Sequence, residues 1–322
     1  MHSPANKRPA GQRGIALITA LLIVSLAVIA ATAVLSAGSL AIQRTATLQE
    51  TEKSWWYAVG VESWVTTILA RDARQNKYDA LNDIWAQPVD FLPVEQGFLS
   101  GRIVDLQGRF NLNNFAVADP ATFKQWQDIF TRLFEQLKLE PQLARPISEA
   151  VRDWIDTDQD PTPYDGAEDN EYLSARAPAL PHRAANRLMM SVTELMAVKG
   201  MTREIYQALL PYVSALPLSD TTINVNTAPE PLLRALTLKP SAAFEEFIRE
   251  RVQKPAETKS ELTSTQVLVA QDADPARYDI SSRFFQLRAE AAIGNSRVAL
   301  YALIFRPSQG VPLVLSRTTD SE

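Results

Sequence analysis

Asp153, Asp156, Asp158, Asp160, Asp165, Glu168, Asp169 and Glu171 place eight carboxylates within nineteen residues, with no basic side chain among them. Asp156, Asp158 and Asp160 stand at i, i+2 and i+4, the spacing by which a coiled loop turns several carboxylates toward one point. The chemistry open to such a cluster is binding of a hard divalent cation such as Ca2+, which takes six to eight oxygens at about 2.3–2.6 Å. Repulsion among empty carboxylates would make the metal-free loop unfavourable, so binding and folding would be coupled. The loop is not an EF-hand. Counting from Asp156, its sixth and twelfth positions are Pro161 and Ala167, where that loop requires glycine and glutamate. Composition alone favours the plainer alternative, a solvated acidic surface.

Other constellations offer less. Thr222-Ile223-Asn224-Val225-Asn226-Thr227-Ala228-Pro229 is similar to the Asn-x-Asn-Thr-Ala entry of helix-hairpin-helix modules, some of which are membrane-anchored DNA receptors. Phosphate binding there needs a glycine-rich hairpin with free amides and nearby lysines. The following turn, Thr237-Leu238-Lys239-Pro240-Ser241, has no glycine, and Pro240 removes an amide. Asn224 and Asn226 are therefore expected to satisfy backbone groups in a tight connection, with no nucleic acid bound. Catalysis has little to work with: His2 and His182 are the two histidines, and no Gly-x-Ser-x-Gly elbow, phosphate loop or His-Glu-x-x-His helix is present. Trp154, Tyr164 and Tyr172 are a thin supply of walls for a carboxylate hydrolase, so the chain is not expected to be an enzyme.

The elements that must position the acidic loop begin with an anchor. Ile15 to Gln43 are 29 uncharged residues, preceded by a leader that carries Lys7, Arg8 and Arg13 and no acid. A helix of that length spans about 43 Å, against about 30 Å for the hydrocarbon core of a bilayer. The basic leader stays cytoplasmic and the bulk of the chain is exported. A cleavable secretory signal would have a shorter apolar core and a small-x-small site before a polar start. The 322 residues suggest about two domains, and 46% apolar residues support a sizeable core. Removing residues 1–14 leaves 29 basic against 37 acidic side chains, a balance of −8 that argues against non-specific nucleic-acid binding. Without cysteine, disulfides and thiolate metal sites are excluded.

Beyond Gln43 the helix is expected to continue to about Arg74, free of proline, with aromatics such as Trp55 docked under the protein's own sheet. Residues 98–105 and 109–113 read as short strands joined by the turn Gln107-Gly108. Helices are predicted over 122–139, capped by Asp119, and over 146–155. Ser191-Val192-Thr193-Glu194 reads as a capping box, followed by helices over 202–210, 229–236 and 242–252. Strands over 283–292 and 297–305 around Gly294-Asn295 close the chain, and the tail from Pro307 is expected to be loose. Strands thus flank a block of helices.

At the leader junction, Gln12-Arg13-Gly14 followed by Ile15-Ala16-Leu17-Ile18-Thr19 resembles the type IV prepilin signal, which is cut after the glycine while the apolar helix is kept. Most members carry Glu at the fifth mature position, which here is Thr19. That departure, the run Trp55-Trp56-Tyr57-Ala58-Val59-Gly60-Val61-Glu62, and Asp153-Trp154-Ile155-Asp156-x-Asp158…Gly166-Ala167-Glu168-Asp169-Asn170-x-Tyr172 together resemble the protein K family of minor pseudopilins in type II secretion. The resemblance covers nearly the whole chain and implies an α+β fold: a pilin-like long N-terminal helix on a small antiparallel sheet, with a large inserted all-helical domain. It implies a leader over 1–14, a transmembrane part over 15–43, the rest of the helix and first strands over 44–118, the insertion over 119–280, closing strands over 281–306 and a tail over 307–322. It implies cleavage by prepilin peptidase between Gly14 and Ile15, N-methylation of Ile15, and a single-pass inner-membrane protein with its C-terminal domain in the periplasm. Minor pseudopilins I and J are the implied partners at a pseudopilus tip that supports protein export. The acidic loop becomes an expected structural calcium site with Asp156, Asp158, Asp160, Glu168 and Asp169 as ligands, Asp153 being reserved for capping or orienting its neighbours. The rival is a membrane-anchored periplasmic binding protein of the helix-hairpin-helix, DNA-receptor type, with an uncleaved anchor.

Overall fold

The computed structural model describes residues 13–163, 165–174 and 180–319. Expectations for residues 1–12 of the leader, for Tyr164 and for the last three residues lie outside these. In chain order the elements are α1 (Arg13–Gln75), β1 (Val89–Val94), β2 (Gly97–Asp105), β3 (Phe110–Asn111), α2 (Pro120–Gln136), α3 (Ala144–Ile155), α4 (Asp169–Leu173), α5 (Arg203–Leu209), β4 (Val213–Ser214), β5 (Ile223–Asn224), α6 (Glu230–Leu236), α7 (Ala242–Glu250), α8 (Lys259–Ser264), β6 (Tyr278–Asp279), β7 (Phe284–Ile293), β8 (Ser296–Phe305) and β9 (Leu313–Thr318).

Helix α1 runs 63 residues. It is long and apolar enough to cross a membrane, and its residues 15–49 are exposed throughout. Three hydroxyls in its first half turn back on the helix. Thr19 Oγ1 donates to the carbonyls of Ile15 and Ala16 at 3.1 and 3.0 Å, and Ser25 and Thr32 do the same to residues one turn earlier. Each hydroxyl is satisfied without water, as a bilayer requires.

The second half of α1 packs on a five-stranded antiparallel sheet ordered β1-β2-β7-β8-β9. Ala58, Val61, Val65 and Leu69 recur at helical spacing and bury against Leu99, Leu287, Ala289, Leu300, Ala302 and Ile304, which alternate along their strands. Trp55 and Tyr57 pack partly against this core, whereas Trp56 stays 63% exposed. The β7–β8 hairpin docks on the helix through its turn: Asn295 N donates to Glu50 Oε2 at 3.0 Å, and Thr51 bonds Ser296 at 2.9 Å. Gly294 adopts φ +58, and a Cβ there would lie 2.5 Å from the Glu50 carboxylate, so glycine suits both the left-handed turn and the docking of Glu50.

Between β2 and β7 the chain builds the helical unit. Its core stacks Phe110, Phe115, Trp126, Phe130 and Phe134 on α3 and α6 side chains. Asp119 caps α2, accepting from Thr122 N at 2.8 Å, and Ser191 with Glu194 forms the expected capping box, here on a 3-10 helix (Val192–Ala197).

Two expectations are corrected, and one strand is added. Residues 109–113 do not extend the sheet: β3 pairs in parallel with β4 in a separate two-stranded ladder, and Leu112–Ala116 is a 3-10 turn. Asparagine side chains dictate this, because Asn113 bonds Met189 and Leu216 while Asn111 and Asn114 hold the 218–221 backbone. The tail from Pro307 is not loose throughout, since Leu313–Thr318 adds to β8 as an edge strand that Arg317 ties to Glu62 of α1 at 2.6 and 2.8 Å. Strand β1, not predicted, occupies the other edge, where Pro93 is tolerated because one side of the strand has no ladder partner.

Candidate metal centre

Helix α3 delivers the acidic loop. Its strongly amphipathic sequence buries Ile147, Ala150, Val151, Trp154 and Ile155, and its end hands the chain to Asp156 in extended conformation. Asp153 lies in the last turn, completely buried, and its carboxylate accepts from Thr162 N at 3.0 and 3.2 Å and from the Thr162 hydroxyl. Gly166 closes the loop over the same carboxylate. A Cβ at Gly166 would lie 2.2 Å from Asp153 Oδ2 and 2.5 Å from Thr162 N. Gly166→Ala is accordingly expected to open the loop and make the 157–172 segment a site of limited proteolysis under conditions where the unmodified chain resists.

Glu168 precedes the single turn of α4 but does not cap it. Its side chain is buried, and neither carboxylate oxygen has a hydrogen-bond partner among the described residues. Asp156 Oδ1 is likewise buried and unpartnered. One oxygen each from Asp153, Asp156 and Glu168 fall within 4.8 Å of one another. Burial, reinforced by the charges of Asp153, Asp156, Asp158 and Asp169, pushes Glu168 up to about 7. Asp156 is pushed up to about 6 by burial and by Asp158 and Asp153. Buried carboxylate oxygens left without donors are costly unless a cation completes them. The oxygen-only donor set and its separation suit a hard divalent ion.

Around this cluster the walls are packed aromatics. Trp154 meets Tyr172 edge-on at 5.4 Å, His182 lies 4.9 Å from Tyr172, and Trp154 Nε1 donates to Glu194 Oε2 at 3.2 Å. Asn186, held at φ +46, donates its backbone N–H to Trp154 O and its amide to Asp158 O, while its own side-chain oxygen is buried without a partner.

Of the five residues expected as ligands, the structure brings Asp156 and Glu168 together. Asp153, reserved for an orienting role, joins them while also holding Thr162. Asp158 and Asp160 are exposed, with Asp158 Oδ1 accepting from Asp160 N at 2.9 Å. Asp169 accepts from Ala184 N at 3.0 Å and faces Arg183 at 3.5 Å. Asn186 escaped the sequence reading, since a lone Asn in a loop carries no periodic signal. Asp153 could have been found, because residues three apart in a final helical turn share a face.

Elsewhere, Asn224 and Asn226 are fully buried and spend their amides internally. Asn224 donates to Asp79 O, Asp105 and Ser282, and Asn226 exchanges two bonds with Ala256. Ile15 opens the exposed stretch of α1, one residue after Gly14.

Residues 108–218 match the family model for the type II secretion system protein K, a span that includes the whole acidic loop. The chain is similar to the type II secretion system protein K of Pseudomonas aeruginosa, at 34% identity over 95% of this chain and 92% of that protein. The corresponding protein of Aeromonas hydrophila is 33% identical over 95% of this chain and 96% of its own length. Among solved structures, a chain in the crystal structure of the GspK-GspI-GspJ complex from the enterotoxigenic Escherichia coli type 2 secretion system superposes with a TM-score of 0.75 at 27% identity. That alignment covers 87% of this chain and 100% of the other.

Proposed function

Since this chain belongs to the type II secretion system protein K family, a group of minor pseudopilins, we propose that it caps the tip of a periplasmic pseudopilus and supports export of folded proteins across the outer membrane. The observation that carries this reading is the unbroken helix α1, an exposed apolar half continuous with a half docked on a sheet, in a chain that also carries a large helical unit. The apolar half would anchor the protein once in the inner membrane, and the rest would stand in the periplasm. The helical unit adds a wide body to the sheet end, which suits a terminal position better than a repeated place inside a filament. In the E. coli complex GspK is joined by GspI and GspJ, which makes minor pseudopilins I and J the expected neighbours here. Co-expression with both should yield a ternary complex that survives gel filtration; failure to retain either under conditions that stabilise the other two would count against the tip assignment.

In the acidic loop, Asp153, Asp156 and Glu168 would hold a structural calcium ion, with the unpartnered side-chain oxygen of Asn186 available to complete its oxygens. Calcium would supply fixed positive charge, and the protein's residues do the remainder: α3 fixes Asp153 and Asp156, Gly166 lets the loop close, and Glu168 returns from the far side. No bond-making step is assigned, and the role is structural.

Thr19 bears on the tip position. A carboxylate at the fifth mature position is costly in lipid unless a neighbouring subunit's terminal amine pairs with it. A subunit with nothing above it has no such partner. Thr19→Glu is therefore expected to leave assembly no better and to disfavour membrane residence by about 2–4 kcal/mol. Clearly improved assembly, measured by co-purification of I and J, would contradict the tip position.

A further inference from the structure

A second carboxylate cluster lies where α1 leaves the sheet. Asp72 sits in the last turns of α1, and Asp79 and Asp83 follow in the connection to β1. One oxygen from each falls within 4.8 Å of the other two. Arg306, at the end of β8, answers only part of this charge. Its guanidinium binds Asp72 Oδ2 at 3.0 Å and Asp79 Oδ2 at 2.5 Å. Asp72 Oδ1 accepts from Asn76, Asp79 Oδ2 also accepts from Ser282 N, and Asp83 Oδ2 accepts from Ala80 N and from Trp85 Nε1 at 3.2 Å. That leaves Asp79 Oδ1. Asp79 is 1% exposed, and this oxygen is buried without a partner. A fourth carboxylate, the buried Asp105, lies close enough to Asp79 to repel it. Of the three clustered acids, only Asp72 and Asp79 bind that guanidinium.

We propose that Asp72, Asp79 and Asp83 form a second hard-cation site, separate from the acidic loop and taking calcium. Three carboxylates less one guanidinium leave a charge of −2, which a divalent ion neutralises and a monovalent one does not. The partial exposure of Asp72 and Asp83 provides an entry path and room for water ligands, which calcium accepts readily. The ion would pin the end of the membrane-borne helix to the loop that starts the sheet and, through Arg306, to β8. This site stands independently of the calcium reading of residues 153–168.

The test uses full-length protein in detergent, with calcium and terbium as probes. Two calcium ions are expected for the unmodified chain, one for Asp83→Asn, one for Asp156→Asn/Glu168→Gln and none for all three changes together. If the acidic loop binds nothing, the unmodified chain holds one ion and Asp83→Asn removes it, so failure of either site is visible separately. In the Asp156→Asn/Glu168→Gln background, excitation of Trp85 beside Asp83 should sensitise terbium emission, and Trp85→Phe should abolish that emission while calcium stoichiometry is kept. Unchanged stoichiometry in a cooperatively folded Asp83→Asn chain, or emission that persists in Trp85→Phe, overturns the proposal.

Discussion

A chain carrying Gly14→Val is expected to accumulate as a precursor heavier by fourteen residues, and secretion is expected to stop. The peptidase that cuts a prepilin must accept the side chain before the scissile bond, and the leader offers a hydrogen there. Valine is β-branched and stiff at χ1, so it cannot fold away from the cleft. The retained leader keeps Lys7, Arg8 and Arg13 attached to the helix end that must enter the filament. Three cations dragged into apolar surroundings each cost about 2.5–3.5 kcal/mol. Mass spectrometry reads the processing, and the exoprotein level in the medium reads the consequence. Normal mass with normal secretion would overturn the pseudopilin reading.

The second large effect is expected at the acidic loop. Calcium that binds only the folded state adds RT ln(1 + [L]/Kd), about 2.7 kcal/mol at a hundredfold excess over Kd. For a chain of this size that is about 4 °C in melting temperature. Chelation should remove it and expose the 157–172 segment to protease. Asp156→Ala with Glu168→Ala should abolish the part of the response that belongs to this loop, whereas Asp160→Ala, an exposed position, should change it little. Magnesium should substitute poorly, since it dehydrates reluctantly and prefers near-ideal octahedral geometry. The pH dependence has a definite sign. Without metal, Glu168 at about 7 and Asp156 at about 6 hold protons more tightly folded than unfolded. Their contribution is fully present below their unfolded values and is lost as pH rises through the range of about 6 to 7. Calcium needs both carboxylates ionised, so the calcium-induced gain should grow between about pH 5 and about pH 8. A gain that is flat or that shrinks across this range would contradict the cluster.

Long regular elements were legible. Helix α1 and the β7–β8 hairpin carry their period and their Gly294-Asn295 turn in the sequence itself, and Asp119, Ser191 and Glu194 announce their caps. What escaped depends on partners far along the chain. The β3–β4 pair joins Phe110 to Val213 through two residues a side, too short for any period to show. Strand β9 is hidden by Pro307, Gly310 and Pro312 before it, and its position is set by β8 and by Glu62 on α1. At the site, acid density pointed to the loop, yet which acids converge depends on how Gly166 and Thr162 fold over Asp153. Asp158 and Asp160 have the tidier spacing and remain outside, because an Asx turn between them uses that spacing locally.

Whether the mature protein is a processed pseudopilin or sits on an uncleaved anchor is decided most directly by its N-terminus. Intact mass of the protein extracted from membranes of cells with and without prepilin peptidase reads it in one step. A chain that begins at Ile15 with one added methyl is expected when the peptidase is present, and the full chain from Met1 when it is absent. A chain that begins at Met1 in both cells would contradict the pseudopilin assignment.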